Sequence, residues 1–122
     1  MIKGALGAVA GLIVWTVVVT AGGLLLRTSW PAYASVAAAM TFTLPMLVAR
    51  LAVSAAATLA AGRTIAAIAP SIAVRLVTGA LLLLAFIPVH VSLWQRFPAW
   101  YHLTFLVSLV PLTVLGGHRR GG

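Results

Sequence analysis

The sequence contains no aspartate, no glutamate and no cysteine. Without a carboxylate side chain it has no acid–base pair for catalysis and no cage of oxygen ligands for Mg²⁺ or Ca²⁺. Without a thiolate it has neither a disulfide framework nor a cysteine metal site. Transport coupled to protons or sodium normally depends on a buried carboxylate. We therefore expect a protein that is not an enzyme and requires no metal or cofactor.

Charge of either sign is also scarce. Charged residues make up 7% of the chain and hydrophobic residues 63%, whereas about 25% of a soluble domain is charged. The cationic side chains are spread singly between apolar runs and form no basic stripe, which argues against nucleic acid as a partner. They are typical of anchors beside anionic lipid headgroups. They are Lys3, Arg27, Arg50, Arg63, Arg75, Arg96, Arg119 and Arg120.

Four apolar runs are each long enough to cross a bilayer, which needs about 20 residues. We predict crossings at about 4–26, 33–51, 72–94 and 99–115, with the second helix continuing to about 61. The fold class is then an all-α integral membrane four-helix bundle made of two helical hairpins, a single domain over residues 1–122. A signal peptide is an alternative interpretation of the first run, although that run exceeds the usual ~7–15 apolar residues.

The two halves of the chain resemble each other. Val19–Leu26 is similar to Val77–Leu84, and each is followed by an arginine and an aromatic-Pro-Ala turn, at Trp30–Ala32 and at Phe97–Ala99. An internal duplication would relate two hairpins of the same orientation by an axis along the membrane normal. Chance similarity between low-complexity apolar sequences is the alternative explanation.

Gly7 and Gly11 form a G-x-x-x-G motif on the first predicted helix. Small residues at this spacing let two helix backbones approach closely, and that contact drives association in lipid. The motif predicts either packing inside the bundle or dimerisation.

Arg50 is the one cation placed well inside a predicted helix, five residues after Pro45. A straight helix from Tyr33 would put it about 25 Å along, near the cytoplasmic edge of the bilayer. We expect a side chain that extends to the headgroups and tolerates lysine. The alternative is an anion contact inside the bundle.

His90 and His102 flank the aromatic turn between the last two predicted helices. Each lies four residues, about 6 Å, below the outer surface, so the two imidazoles have matching depth on antiparallel neighbours. If they face each other, a hydrogen-bonded pair is the simpler outcome. The alternative is that the two histidines are axial ligands of a shared haem iron, or part of a quinone site.

The pattern favours a small accessory or interaction bundle of a bacterial inner membrane. Small multidrug exporters have a similar length and helix number, but they depend on a glutamate in the first helix, which this chain lacks. An oligomeric transporter or pore, with Arg50 and proline-freed carbonyls facing a lumen, is the second hypothesis. A haem- or quinone-binding subunit is the third. The expected partners are membrane lipids with anionic headgroups, another copy of the chain, or another membrane protein.

The distribution of cations predicts the topology. Five cations fall on the side of the two termini and two on the other side, so the positive-inside rule places both termini in the cytoplasm. Reporter fusions at Ser71 and Gly122 should give cytoplasmic signals, and fusions at Trp30 and Arg96 periplasmic signals. A periplasmic signal at Gly122 would contradict four crossings.

Overall fold

The computed structural model describes residues 2–117, and this part of the chain is helical, without β-strands. Four of its helices are long and apolar enough to cross a membrane, which confirms the predicted all-α four-helix bundle. Arg119 and Arg120, on which the predicted charge asymmetry depends, lie outside the described residues. The helices are α1 (Ile2–Ser29), α2 (Pro31–Ala37), α3 (Leu44–Ile68), α4 (Ile72–Ser92) and α5 (Ala99–Gly116), with a short 3-10 turn at Trp94–Arg96.

The predicted position of the second crossing is wrong. Residues 33–51 do not form one membrane helix, because α2 ends at Ala37 and α3 begins only at Leu44. Pro45 lies in the first turn of α3, where its missing N–H removes no helical hydrogen bond. The N–H of Thr43 donates to Met46 Sδ at 3.4 Å and helps to cap this helix. The other three crossings differ from the predicted bounds by three residues or fewer.

The four long helices form a ring in the order α1, α3, α5, α4. Helices α1 and α3 are antiparallel, as are α4 and α5, whereas α3 and α5 run in the same direction. A two-fold axis along the membrane normal would place α1 across the bundle from α4, and α3 across from α5. In the structure the members of each pair are neighbours, so the sequence similarity between the halves is not accompanied by that symmetry.

Glycines allow close helix contacts at one end of the bundle, which we call the glycine end. Gly7 and Gly11 are buried on α1 and face α3. A Cβ atom at Gly11 would lie 2.6 Å from Cγ1 of Ile65, and one at Gly7 would lie 3.3 Å from Cβ of Ala69. Of the two uses predicted for the G-x-x-x-G motif, the structure has packing inside the bundle.

The contact between α3 and α5 is closer still. Gly62 lies against the backbone of Thr113, and Gly116 lies against the backbone of Leu59. Nearby, Nη1 of Arg75 donates to the carbonyl of Val114 at 2.6 Å. The same carbonyl also accepts the N–H of Gly117 at 3.2 Å, so two donors meet at the end of α5.

The core of the bundle lies just beyond this contact, toward the other end. Trp15 is its largest member, and its indole Nε1 donates to Oγ1 of Thr58 at 3.0 Å. The Thr58 hydroxyl donates in turn to the carbonyl of Ser54, as threonine and serine hydroxyls commonly do within membrane helices. The other buried members of the core are Ala57, Ala61, Leu82, Phe105 and Leu109.

We predict that Gly62→Ala destabilises the bundle, because the added methyl group would collide with the backbone carbonyl of Thr113. Overpacking of this kind costs about 1–3 kcal/mol. Gly23→Ala is the matched control, since no atom lies within 4 Å of a Cβ at that position. It should be neutral or stabilise the helix by about 0.5–1 kcal/mol. Thermal unfolding in detergent would measure both, and equal melting temperatures for the two variants would refute the close contact.

Candidate functional site

A cavity of about 240 Å³ lies toward the opposite end of the bundle, which we call the aromatic end. Residues from all five helices line it. Its walls are mainly apolar and aromatic, with Trp15, Phe86, Phe97 and Phe105 among them. Five polar side chains also line it: Tyr33, Arg50, Ser54, His90 and Tyr101. A concave, mostly apolar site with a few polar groups is the usual form of a small-molecule site.

Arg50 is held in this cavity by neutral groups. Its Nε donates to the hydroxyl of Tyr101 at 3.1 Å, and its Nη1 donates to the hydroxyl of Tyr33 at 2.8 Å. The guanidinium carbon lies 4.6 Å from the ring centre of Phe42 and 5.9 Å from that of Phe97. These distances are within the range of cation–π attraction.

The position expected for Arg50 is wrong. Because α3 begins at Leu44, Arg50 lies in its second turn, at the aromatic end, and not near the end of this helix as expected. Its side chain bridges α2 and α5. Lysine could not reproduce this bridge, since a single ammonium lacks the fork of the guanidinium.

The charge of Arg50 has no carboxylate partner in this chain, because the sequence contains no acidic side chain. A guanidinium has five N–H donors, and the two tyrosines accept from two of them. The remaining donors are available to a ligand in the cavity. A partly buried cation that lacks a counter-ion is a favourable place for an anionic group.

Aromatic residues in and beside the two aromatic-Pro-Ala turns build this site. Tyr33 is 2% exposed and Tyr101 is 4% exposed, so both are buried rather than at the lipid surface. The ring of Tyr33 stacks on Phe42 with centres 5.0 Å apart, and Phe42 stacks on Phe97 at 6.1 Å. The short helix α2 thus brings Tyr33 over the bundle. The aromatic-Pro-Ala repeat was the available signal, since it precedes both tyrosines.

His90 and His102 face each other in the structure. Their Nδ1 atoms are 2.6 Å apart, and the two rings are nearly perpendicular, at 88°. His102 is fully buried and stacks on Trp94 with ring centres 4.8 Å apart. Of the two arrangements predicted for facing imidazoles, the structure has the hydrogen-bonded pair.

This geometry does not fit a shared metal ion. Two imidazole nitrogens that each bind a metal at about 2.0 Å must lie more than about 3 Å apart, and nitrogens on opposite sides of a haem iron lie farther apart still. The Nδ1 separation of 2.6 Å is that of a direct hydrogen bond. Within residues 2–117, no cluster of three or more His, Cys, Asp or Glu side chains could hold a metal ion.

The pairing also determines which ring nitrogen carries a proton. One neutral imidazole must donate from Nδ1, so its Nε2 carries no proton. The other imidazole must accept at Nδ1, so its proton is on Nε2. Nε2 of His102 is buried and has no partner among the described residues. Orphaned buried N–H groups are rarer than orphaned acceptors. This preference favours His102 as the donor, which would give His90, on the cavity wall, an Nε2–H.

The comparisons with known proteins assign no relative to this chain. No protein-family model matches it, and neither a curated protein nor a solved structure is significantly similar to it. The function must therefore be argued from the geometry of the cavity.

We predict that ¹⁵N NMR of the ring nitrogens will show Nδ1–H on His102 and Nε2–H on His90. A His118→Asn background would leave only these two rings to assign. In His102→Phe, which keeps an aromatic ring against Trp94, His90 should lose its fixed tautomer because no ring nitrogen then faces its Nδ1. The opposite pair of tautomers in the unsubstituted pair would disprove the assignment.

Proposed function

We propose that this chain is a small, non-catalytic bundle of a bacterial inner membrane that holds a ligand in the cavity at its aromatic end. It would act as an accessory or interaction subunit, with both termini in the cytoplasm. The observation that carries this proposal is Arg50, a partly buried cation without an acidic partner in the chain. An intramembrane ionisable residue is expected to be functional.

The bonds of Arg50 support a binding role over a purely structural one. Each tyrosine hydroxyl accepts one hydrogen bond from the guanidinium, but neither neutralises its charge. Burial of an uncompensated charge costs several kcal/mol, of the order found when one partner of a buried pair is removed. An anionic group from a ligand would reduce that cost, so binding and the stability of the aromatic end would be linked.

The packing next to the cavity favours a binding site over a pore through one copy of the chain. The Trp15–Thr58 hydrogen bond and the side chain of Leu109, which is 0% exposed, fill the space between the cavity and the glycine end. The close contact of Gly62 with α5 then holds the helices together beyond them. Pro45, which a lumen hypothesis would place at mid-membrane, instead lies at the start of α3.

Native mass spectrometry of protein extracted in mild detergent would test the proposal. We expect the unsubstituted protein to retain a bound molecule that Arg50→Gln loses. Arg96→Gln is the matched control, because Arg96 lies at the same end, is exposed, and within residues 2–117 its side chain donates a hydrogen bond only to the carbonyl of Ala39, at 3.4 Å. This variant should keep the bound molecule.

Arg50→Lys separates charge from shape. It keeps the positive charge but cannot donate to both tyrosines at once, so we expect partial loss of the bound molecule. Circular dichroism would confirm that each variant keeps its helices. A bound molecule that Arg50→Gln retains as well as the unsubstituted protein does, or its absence from every form, would contradict the proposal.

A further inference from the structure

The shape and the donors of the cavity point to the class of its ligand. Building on the proposed function, we infer that the cavity takes a ring-bearing monocarboxylate, an aromatic acid of about the size of benzoate with a short substituent. Its carboxylate would meet Arg50, and its ring would lie among Trp15, Phe86 and Phe105.

The volume sets the size of this ligand. An engineered apolar cavity of about 150 Å³ binds benzene, and the present cavity measures about 240 Å³. The difference leaves room for a carboxylate and a few further atoms. Drug-sized ligands occupy sites of about 300–1,000 Å³, so a whole phospholipid headgroup with its glycerol is too large.

The walls favour a ring over a plain alkyl chain. Trp15 and Phe86 have ring centres 5.0 Å apart and are tilted by 50°, and Phe86 meets Phe105 edge-on at 5.3 Å. Such rings present both faces and edges to the cavity. An aromatic ligand can therefore make offset or edge-to-face contacts, which are worth about 0.5–1.5 kcal/mol beyond burial of area.

The polar groups of the cavity mainly donate hydrogen bonds. Arg50 retains N–H groups that the tyrosines do not use, and His90 offers its Nε2–H. The hydroxyls of Tyr33 and Tyr101 accept from Arg50, so each keeps its own proton to donate. Ser54 Oγ is buried without a partner among the described residues. A headgroup that only accepts, such as a carboxylate, matches this set better than an amide or an amine.

The charge balance favours a monoanion. One guanidinium lines the cavity, and a carboxylate neutralises one charge. A phosphate monoester carries about −1.5 to −2 at neutral pH, so it would bring an unpaired negative charge into an apolar site. A neutral quinone would accept from the same donors but would leave the guanidinium uncompensated.

Fluorescence titration of the detergent-purified protein would test the inference, since Trp15 lines the cavity and Trp15→Phe reports how much of the signal it carries. The probes are 4-propylbenzoate and its neutral isostere 4-propylbenzamide. Because hydrogen bonds to charged groups contribute about 1.5–3 kcal/mol, we expect the benzoate to bind at least about ten-fold more tightly than the benzamide. Acetate and a short-chain phosphatidylglycerol should compete weakly.

Variants show which arginine the preference for benzoate depends on. Arg50→Gln should weaken benzoate binding by about ten-fold or more and weaken benzamide binding by less, whereas Arg96→Gln should change neither. The benzoate–benzamide comparison needs no variant, so it holds even if Arg50→Gln fails to fold. Equal binding of benzoate and benzamide, tighter binding of benzoquinone, or equal competition by acetate or by the phospholipid would overturn the assignment.

Failure of the titration can be distinguished from failure of the proposed function. If the bound molecule depends on Arg50 but benzoate and benzamide bind with equal affinity, the carboxylate assignment is wrong. The proposal of a bundle that holds a ligand would then stand. Absence of any Arg50-dependent bound molecule would remove the binding function itself, whatever the probes show.

Discussion

The structure depends on how a chain without carboxylate side chains accommodates cations within its helices. Neutral oxygens do this for three arginines. Two phenol hydroxyls accept from Arg50, the carbonyl of Val114 accepts from Arg75, and the carbonyl of Ala39 accepts from Arg96. Hydrogen bonds of this kind orient a cation, and aromatic faces add to its stabilisation, but neither cancels its charge. The molecule therefore keeps an uncompensated positive potential at the aromatic end, inside an apolar surround.

The two ends of the bundle differ in the size of the side chains between the helices. At the glycine end, Gly11, Gly62 and Gly116 let the backbones of α1, α3 and α5 approach until a single methyl group would collide. At the aromatic end, large rings such as Trp15 and Phe105 separate the same helices. Gly22 brings α1 close to α3 at the aromatic end as well, since a Cβ atom there would lie 2.5 Å from Cγ1 of Val53. The cavity therefore lies among the rings, while the close glycine contacts hold together the helices that carry them.

The number and approximate extent of the crossings could be predicted from the sequence, because about 20 apolar residues in succession are rarely stable except across a bilayer. The start of α3 could not be predicted from apolar length alone, because apolar length does not distinguish a crossing helix from the apolar connection before it. Pro45 is the sequence feature that marks the start of α3. A proline at the first turn of a helix is favourable, whereas one in the middle costs about 3 kcal/mol. Applied to Pro45, that rule places Arg50 near the start of a helix instead of near its end.

The histidine pair shows what spacing can and cannot predict. Equal distance from the turn placed both imidazoles at one depth, and the structure brings them together. The face of His90 follows from a second periodicity. On α4 the residues Thr78, Leu82, Phe86 and His90 recur every four positions along the face toward α5. On α5 the series Tyr101, Phe105, Leu109 and Thr113 does the same, with His102 beside its first member.

The depth of both rings and the face of His90 were thus available from the sequence, but the face of His102 and the role of the pair were not. Whether two facing imidazoles bind a metal or each other depends on a few tenths of an ångström between Nδ1 atoms, which the packing of Trp94 and Phe97 against His102 determines. That packing brings the nitrogens into direct contact and leaves His90 with one outward donor. The pair therefore contributes to the cavity as a fixed hydrogen-bond donor beside Arg50, so the histidines and the arginine, which are 40 residues apart in sequence at the nearest, form one site.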